Sequence, residues 1–132
     1  MRPFTDNQGC FVCGKLNPSG LKLHFSTQPE RETTESSVVF PEMLQGWEQT
    51  VHGGLVSTVL DEMLVQTAAA RGHKCVTAEI TVKFKKPVAI GQRYKITGHM
   101  TGIRGRIVCA ESQLLDGDGK EVAVASGKLF KL

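Results

Sequence analysis

The stretch GWEQTVHGGLVSTVLDEML, residues 46 to 64, predicts a long buried helix and carries the most unusual residues of the chain. Its apolar residues recur at the three- and four-residue spacing of a helix face, at Leu55, Val56, Val59, Leu60, Met63 and Leu64. Two glycines stand at its start and Asp61 at its centre. Glycine starts a helix poorly unless something must approach the backbone, and a carboxylate in an apolar run is costly unless paired or used. Both oddities in one helix predict a functional site.

Strands are predicted on both sides of this helix. Residues 21–28 alternate apolar and polar side chains, and residues 33–40 do so more weakly. Residues 41–50 have no period and are interpreted as a loop. The helix is predicted from Val51 to Arg71, with Gly72 as its C-terminal stop.

After Gly72 the period becomes two and stays so through residues 76–88, 92–101, 106–115 and 121–130. Short glycine-containing turns separate these segments, which predicts a four-stranded antiparallel meander. A single apolar helix must then be buried against the sheet. The predicted fold is α+β in the order β-β-α-β-β-β-β, a curved antiparallel sheet wrapped around one long central helix.

Length and composition fit one domain covering residues 1–132. The chain is 40% apolar and 22% charged, which is ordinary for a soluble globular protein. No apolar run approaches the roughly 18 residues of a membrane span, and the N-terminus MRPFTDNQGC has no hydrophobic leader. We therefore expect a cytoplasmic protein without membrane contact.

The net charge of +3 is unevenly distributed. Residues 1–71 hold five Lys/Arg and eight Asp/Glu, a net of −3, and residues 72–132 hold eleven and five, a net of +6. The basic half suits a phosphate-bearing ligand, or equally a solvated sheet face, because Lys83, Lys85 and Lys95 alternate with apolar residues. Nucleic acid binding is not favoured, since no basic cluster is interleaved with aromatic residues.

Four cysteines stand at positions 10, 13, 75 and 109, and a reduced state is expected for them. Cys10 and Cys13 form a single CxxC, which is half of a zinc site. His24 or His73 would complete it only by an unusual arrangement. Structural zinc, redox chemistry and an ordinary turn remain open, and the ordinary turn is favoured.

The helix start and Asp61 together suit hydrolysis of an activated acyl group such as a thioester. The first amides, at Gly53 and Gly54, would form an oxyanion hole, and Asp61 would attack directly or deprotonate a water. Asp61 lies seven residues after Gly54, about 10 Å along the axis, so one carbonyl cannot meet both within one chain. Two antiparallel helices across a two-fold axis would satisfy the distance, which predicts an obligate dimer.

Structural interpretations of the same residues remain open. Asp61 has possible partners in Ser57, Thr58 or a loop. Glu62 points about 100° away from Asp61 around the helix, and we interpret it as solvent-facing or as a structural ion-pair partner. His52 is expected to fix the loop at the helix start and not to act as a base.

The element order together with VHGGLVSTVLDEM resembles the hotdog-fold acyl-CoA thioesterases, especially those of the phenylacetate pathway and the 4-hydroxybenzoyl-CoA thioesterases. The resemblance covers about residues 9–131. It is carried by HGG followed by an acidic residue nine positions after the histidine, which His52 and Asp61 satisfy. The segments CFVCGKLNPSGL and QGW are similar to a recurrent subgroup of these proteins.

The resemblance implies a role for each matching residue. Asp61 would be the nucleophile or general base, and the Gly53 backbone N–H would bind the thioester oxygen, with Gly54 maintaining the close approach. His52 would position that turn. Thr77 falls where the family has a Ser or Thr that helps to hold the water or the aspartate. These four, Asp61, Gly53, His52 and Thr77, are the predicted catalytic residues.

The substrate is expected to be an acyl-CoA. The family often has Asn or Gln six residues before the histidine, where this chain has Gly46, so its neighbour Gln45 is a candidate for contacting the carbonyl. Candidates for the CoA phosphates are Lys85, Lys86, Arg104 and Arg106. No metal or cofactor is expected for the reaction, and the family implies a homodimer or homotetramer. The pantetheine arm would enter near the helix N-terminus of one chain, with the acyl group directed toward Asp61 of the other.

Two alternatives stay open. A hotdog hydratase or dehydratase would pair a different histidine and acid, and HGG at the helix start does not favour it. A non-catalytic acyl-CoA binding module would keep the basic face and tolerate Asp61→Asn.

Overall fold

A computed structural model describes residues 4–132, in which one α-helix packs against a six-stranded antiparallel sheet. The strands are β1 (Ser26–Gln28), β2 (Thr33–Val39), β3 (Cys75–Phe84), β4 (Arg93–Arg104), β5 (Ile107–Leu115) and β6 (Glu121–Lys131), and the helix is α1 (Gly53–Ala70). A 3-10 turn, Glu42–Leu44, precedes the helix within the predicted loop. The predicted order of two strands, one helix and four strands is confirmed. No helix among the described residues combines the length and hydrophobicity needed to cross a membrane.

The helix begins two residues later than predicted, because Val51 and His52 are held in extended structure. The Val51 N–H donates to the Val88 carbonyl at 2.8 Å, and the His52 N–H donates to the Leu44 carbonyl at 2.9 Å. At the other end, Gly72 has φ +86, a left-handed conformation that favours glycine and ends the helix. The predicted stop at Gly72 is therefore confirmed.

The predicted four-stranded meander is wrong for β3. The sheet order is β1-β2-β4-β5-β6-β3, so β4, β5 and β6 form a meander while β3 pairs with β6 at the edge. The connection between β3 and β4 is not a tight hairpin. Its backbone forms hydrogen bonds with the loop before the helix. In addition to the Val88 contact, the Ile90 N–H donates to the Gln49 carbonyl at 3.1 Å. This connection therefore carries the chain past the helix start to β4, between β2 and β5 in the interior of the sheet.

The strand predicted at residues 21–28 is also mostly wrong, since only Ser26–Gln28 pairs in the sheet. The preceding residues bond to the N-terminal segment instead: the Leu21 and Leu23 N–H groups donate to the carbonyls of Phe11 and Val12 at 2.8 and 2.9 Å. Lys22 between them has φ +53, which a continuous strand does not allow. The alternating apolar residues are thus packed on the core without a sheet partner.

The helix lies close against the sheet because two strand glycines face it. A Cβ at Gly98 would lie 2.5 Å from Met63 Cγ, and one at Gly127 would lie 2.6 Å from Leu64 Cδ1. Both side chains are fully buried, and each contributes about 1.5–3 kcal/mol through removal from water. The Ser112 hydroxyl also donates to the Leu60 carbonyl at 2.9 Å. These contacts fix the position of the middle of α1 over the sheet.

A β-bulge in β3 decides which of its side chains face the helix. Thr77 pairs with Leu129, but Glu79 pairs with the adjacent Lys128, so Ala78 is the extra residue. Before the bulge the Thr77 side chain reaches α1, and after it Ile80 and Val82 pack on the core. Strict alternation would have placed Thr77 on the opposite face from these two residues. The bulge therefore brings Thr77 to the helix.

Candidate active site

The N-terminus of α1 leaves one backbone amide unused. The His52 side chain caps the helix, since its Nδ1 accepts the Gly54 N–H at 3.0 Å. The Leu55 and Val56 N–H groups donate to the His52 carbonyl at 2.9 and 3.1 Å. Within residues 4–132, no acceptor takes the Gly53 N–H. One donor at the positive end of the helix dipole is thus left for an external oxygen.

Two grooves meet at this amide. One, of about 330 Å³, is lined by Gly53, Phe84, Lys85 and Lys86 among others. The other, of about 390 Å³, is lined by Gly46, Trp47, Val51, His52 and Gly53. A larger cavity of about 680 Å³ lies along β2, β4 and the β5–β6 turn, and none of the predicted site residues lines it. The grooves at Gly53 are therefore the ones that adjoin the predicted oxyanion donor.

Asp61 is held by β3. The Thr77 Oγ1 donates a hydrogen bond of 2.6 Å to Asp61 Oδ1, and both side chains are half-buried. No described residue donates a hydrogen bond to the second oxygen, Oδ2. The alternative partners of Asp61 are excluded, since the Ser57 and Thr58 hydroxyls donate to the helix carbonyls four residues before them, at 3.0 and 2.9 Å. Asp61 thus presents one oriented carboxylate oxygen without an intramolecular partner among residues 4–132.

One chain does not bring the amide and the carboxylate together. Eight residues of α1 separate Gly53 from Asp61, which corresponds to about 12 Å along the axis. The predicted catalytic residues, with Gly54, therefore fall into two groups. His52, Gly53 and Gly54 form one group at the helix start, and Asp61 with Thr77 forms the other.

The predicted phosphate-binding residues also lie in two places. Lys85 and Lys86 follow β3 beside Gly53, and the Lys85 ammonium pairs with Glu121 at 2.7 Å. Arg104 and Arg106 lie at the β4–β5 turn. Ile107 at this turn pairs with Phe130 of β6, which in turn pairs with Val76, so the turn lies at the same end of the sheet as the start of β3. Because the full length of β3 lies between them, the two pairs are on the order of 27 Å apart along the strand direction.

Arg106 is held at this turn by its own contacts. Its guanidinium donates to the Lys131 carbonyl at 2.9 Å and lies 4.9 Å from the centroid of the Phe130 ring. Within one chain the basic residues therefore do not form a single phosphate site.

Gln45 supports the loop that leads into the helix. Its Oε1 accepts the Gln49 N–H at 3.2 Å, and its backbone forms a bridge with Val51. Gly46 beside it allows a close approach, because a Cβ there would lie 3.2 Å from His52 Cα. Gln45 is thus an exposed residue of the loop that packs beside His52.

Two aromatic residues that line the grooves at Gly53 were not predicted from the sequence. Alternation over residues 76–88 places Phe84 on the apolar face of the predicted strand, yet it is 54% exposed, and its ring would lie 3.5 Å from a side chain at Gly53. Trp47 in the other groove is 86% exposed. The only feature of the sequence that could have indicated them is their position: Phe84 is the last residue of β3, and Trp47 lies five residues before His52. Exposed aromatic rings beside an unused amide suit the apolar part of a ligand.

The interpretation of Glu62 as solvent-facing or ion-paired is wrong. Glu62 is half-buried, its Oε2 accepts from the Gln66 amide at 2.7 Å, and its Oε1 lies 3.5 Å from Cys10 Sγ. No Lys or Arg among residues 4–132 pairs with it. Burial, together with the negative charge of Glu62, raises the pKa of the neighbouring Cys13 thiol well above its usual range. Glu62 is therefore the third member of the cluster with Cys10 and Cys13, a place for which the sequence offered only His24 or His73 in an unusual arrangement.

Comparison with known proteins identifies the family and the fold. Residues 48–123 match the Thioesterase superfamily. A crystal structure of a thioesterase superfamily protein superposes with a TM-score of 0.87 at 22% identity, covering 95% of this chain and 61% of that one. The PaaI protein from the phenylacetic acid degradation operon of E. coli gives 0.75 at 16% identity, covering 85% and 80% of the two chains.

A third structure, smu.793 from Streptococcus mutans bound to acetyl CoA, gives a TM-score of 0.76 at 16% identity, covering 83% of this chain and 88% of that one. At these identities the superpositions establish the fold, and they confirm the predicted hotdog architecture. This chain spans 61% of the length of the first structure. Curated protein sequences gave no match. Since the family match extends over more than half of its residues, this chain belongs to the thioesterase superfamily.

Proposed function

We propose that this chain is an acyl-CoA thioesterase, which hydrolyses an acyl- or aryl-CoA thioester to the free acid and CoA. The observation that carries the proposal is the Asp61 carboxylate, oriented by Thr77 at 2.6 Å through one oxygen and unbonded by the described residues at the other. Family membership supports thioester chemistry. The described residues hold no Ser–His or Cys–His pair in hydrogen-bond contact, so Asp61 is the group we assign to the attack.

The proposed reaction uses Asp61 in one of two ways. As a general base, it removes a proton from a water whose oxygen attacks the thioester carbon. As a nucleophile, it forms an aspartyl anhydride that water then hydrolyses. In both routes the C–S bond breaks, the CoA thiolate leaves and takes up a proton, and the acid is released. The Gly53 N–H stabilises the tetrahedral oxyanion, and Phe84 and Trp47 flank the acyl thioester.

The proposed site is shared between two protomers, and β3 offers the surface for it. Among the described residues β3 pairs only with β6, so the outward-facing N–H and C=O groups along its ten residues have no strand partner. An exposed edge of this length is a liability unless another strand covers it. Pairing with β3 of a second copy around a two-fold axis would cover both edges.

Such pairing would also complete the site. With the axis near Ile80 and Thr81, antiparallel pairing sets Thr77 beside the partner subunit's Phe84. Thr77 holds Asp61 at 2.6 Å, and Phe84 lies against Gly53 of its own chain. The Asp61 of one protomer thus approaches the Gly53 amide of the other, which removes the separation of about 12 Å within one helix.

The same symmetry gathers the basic residues. Arg104 and Arg106 lie at the start of β3, and Lys85 and Lys86 lie at its end. Antiparallel pairing brings the start of one β3 to the end of the other, so both pairs would face one CoA. The acetyl CoA bound to the Streptococcus mutans protein supports a ligand of this class. The pantetheine arm would then enter beside Gly53 of one protomer, as the sequence predicts.

The test is thiol release from a panel of short, medium and long acyl-CoAs together with benzoyl- and phenylacetyl-CoA. We expect turnover in the wild type and a loss of at least about 1,000-fold in kcat for Asp61→Asn, with CoA binding retained. Asp118→Asn, in the exposed β5–β6 turn, is the matched control and should leave kcat unchanged.

Other outcomes select other functions. Saturable acyl-CoA binding without turnover, unchanged by Asp61→Asn, would indicate the non-catalytic binding module. Addition of water to an enoyl-CoA, or loss of water from a hydroxyacyl-CoA, without thiol release would indicate a hydratase or dehydratase. Either result would overturn the assignment of Asp61 to thioester hydrolysis.

A further inference from the structure

We propose that Cys10, Cys13 and Glu62 bind a divalent metal ion of the zinc class, which fastens the N-terminal segment to α1. The sequence favoured an ordinary turn at the two cysteines, because His24 or His73 would complete a zinc site only by an unusual arrangement. The structure supplies a third ligand from residue 62, far along the chain from the CxxC.

The distances among the three ligand atoms fit an ion with tetrahedral coordination. The two sulfurs and a Glu62 oxygen all lie within 4.8 Å of one another. Zinc–sulfur bonds of about 2.3 Å and zinc–oxygen bonds of about 2.1 Å set a sulfur and an oxygen about 3.6 Å apart across a tetrahedral angle. The separation between Cys10 Sγ and Glu62 Oε1 is 3.5 Å. Three protein ligands with water in the fourth position would complete the coordination.

The loop around the cysteines is shaped to present a thiolate. The backbone N–H groups of Val12 and Cys13 point at Cys10 Sγ, at 3.3 and 3.4 Å. The Gly14 N–H donates to the Cys10 carbonyl at 2.9 Å. Gly14 is required for this tight turn, because a Cβ there would lie 2.4 Å from Cys10 N. Amide donors directed at a sulfur stabilise its negative charge, as outer-sphere groups do at metal sites.

The carboxylate is oriented as well. The Gln66 side-chain amide donates to Glu62 Oε2 at 2.7 Å and leaves Oε1 facing the sulfurs. Gln66 lies one turn after Glu62 on α1, so the helix itself sets this contact. A ligand held by a second polar group is typical of a metal site.

The charge of the cluster favours a cation. Two ionisable thiols and one carboxylate share a half-buried space, and no Lys or Arg among residues 4–132 pairs with Glu62. A divalent ion would satisfy all three groups. Because Glu62 follows Asp61 directly, the ion would also hold the N-terminal segment against the part of the helix that carries the proposed catalytic carboxylate.

The experiment is a Co²⁺ titration of the reduced full chain after treatment with a chelator, followed by competition with Zn²⁺. We expect one Co²⁺ per chain, with the near-ultraviolet charge-transfer absorption of cobalt–thiolate bonds, which Zn²⁺ abolishes. Zn²⁺ should also raise the Tm, since a ligand that binds the native state stabilises it. Absence of stoichiometric binding or of thiolate absorption in the wild type would overturn the proposal, whatever the variants do.

The variants assign the ligands. Cys13→Ser should weaken Co²⁺ binding by at least about 100-fold and Glu62→Gln by at least about tenfold, by the scale of ligand and outer-sphere losses at zinc sites. Cys109→Ser, at a half-buried cysteine outside the cluster, is the matched control and should bind as the wild type does. Unchanged affinity and absorption in Cys13→Ser would overturn the proposal. None of these readouts depends on thioesterase activity.

Discussion

Thr77 Oγ1 donates to Asp61 Oδ1 at 2.6 Å, which joins the edge strand β3 to the middle of α1. The contact depends on the bulge at Ala78, because this extra residue turns Thr77 toward the helix while Ile80 and Val82 still reach the core. A local departure from strand regularity thus positions the carboxylate to which we assign the chemistry. Bulges are frequently found where a side chain must be redirected in this way.

Loss of the Thr77 hydroxyl should impair turnover more than binding. A hydrogen bond to a charged group contributes about 1.5–3 kcal/mol, so we expect Thr77→Val to lower kcat by roughly 10- to 100-fold with KM changed less than about threefold. Thr77→Ser keeps the hydroxyl and should retain most of kcat. Steady-state kinetics of the three proteins checks this expectation. A serine variant as impaired as the valine variant would mean that the hydroxyl alone does not position Asp61, and an unimpaired valine variant would mean that the hydrogen bond is not needed.

Gly53→Pro removes the one backbone N–H that we assign to the oxyanion hole. Proline is tolerated at the first position of a helix, and the preceding His52 already has φ −58 and ψ 130, which suits a residue before proline. We expect a folded protein whose kcat falls by about 100- to 1,000-fold, the typical effect of losing one oxyanion donor. Gly53→Ala keeps the N–H and is the control, since its Cβ would make an ordinary 3.5 Å contact with Phe84. Circular dichroism establishes folding, and wild-type kcat in the folded proline variant would remove Gly53 from the mechanism.

These variants also test whether the site is shared. Asp61→Asn and Gly53→Pro should each be nearly inactive alone. A mixed dimer, however, has one site with both Gly53 and Asp61 intact if each site takes one group from each protomer. Random mixing should then restore about a quarter of the wild-type activity. Sites contained within single chains would remain inactive in the mixture. The measurement is activity after subunits of the two variants are exchanged.

The sequence predicted most of the elements but not all of their partners. Alternation identified β4, β5 and β6 because their buried face is regular, and Gly72 marked the helix end. The position of β3 beside β6 was missed, since the spacing of strands along the chain does not reveal that Val88 and Ile90 bond to the loop before the helix. Pairing between distant segments is decided by such tertiary contacts.

The distances among the proposed site residues could be read from the sequence only in part. The spacing of His52, Gly53 and Asp61 within one helix is readable from the sequence, because helix geometry converts it directly into distance. Thr77 was indicated only by family resemblance, since strict alternation assigns it to the wrong face. The contact between Glu62 and Cys10 could not be predicted from the sequence, because the two residues are 52 positions apart and no periodic pattern connects them.

The close approach of helix and sheet should make Gly98 intolerant of a side chain. Gly98→Ala places a Cβ 2.5 Å from Met63 Cγ and Thr67 Oγ1, so the fully packed core must shift. We expect a loss of about 2–3 kcal/mol in the free energy of unfolding, the upper part of the range for overpacking. Gly102→Ala on the same strand meets no atom within 4 Å and is the control, with a change of less than about 1 kcal/mol. Urea unfolding of both variants measures the difference, and equal stabilities would contradict the close packing of α1 on β4.

Replacing Thr67 by valine should stabilise the protein. Thr67 is 1% exposed, and its Oγ1 is the buried side-chain oxygen among the described residues for which the protein offers no hydrogen-bond partner. Valine has nearly the same shape and is also β-branched, so packing and helix propensity change little. Because an unsatisfied buried hydroxyl costs about 1–3 kcal/mol, Thr67→Val should raise the free energy of unfolding by about 1 kcal/mol.

Thr67→Ser separates the hydroxyl from the methyl group in this comparison. It keeps the unpaired oxygen and deletes a buried methyl, so we expect a loss of about 1 kcal/mol. Urea unfolding at constant pH gives both values, and equal m-values in the three proteins would indicate that the denatured states are comparable. A valine variant less stable than the wild type would mean that the Thr67 hydroxyl has a partner, such as a bound water between α1 and Gly98, that contributes more than its desolvation costs.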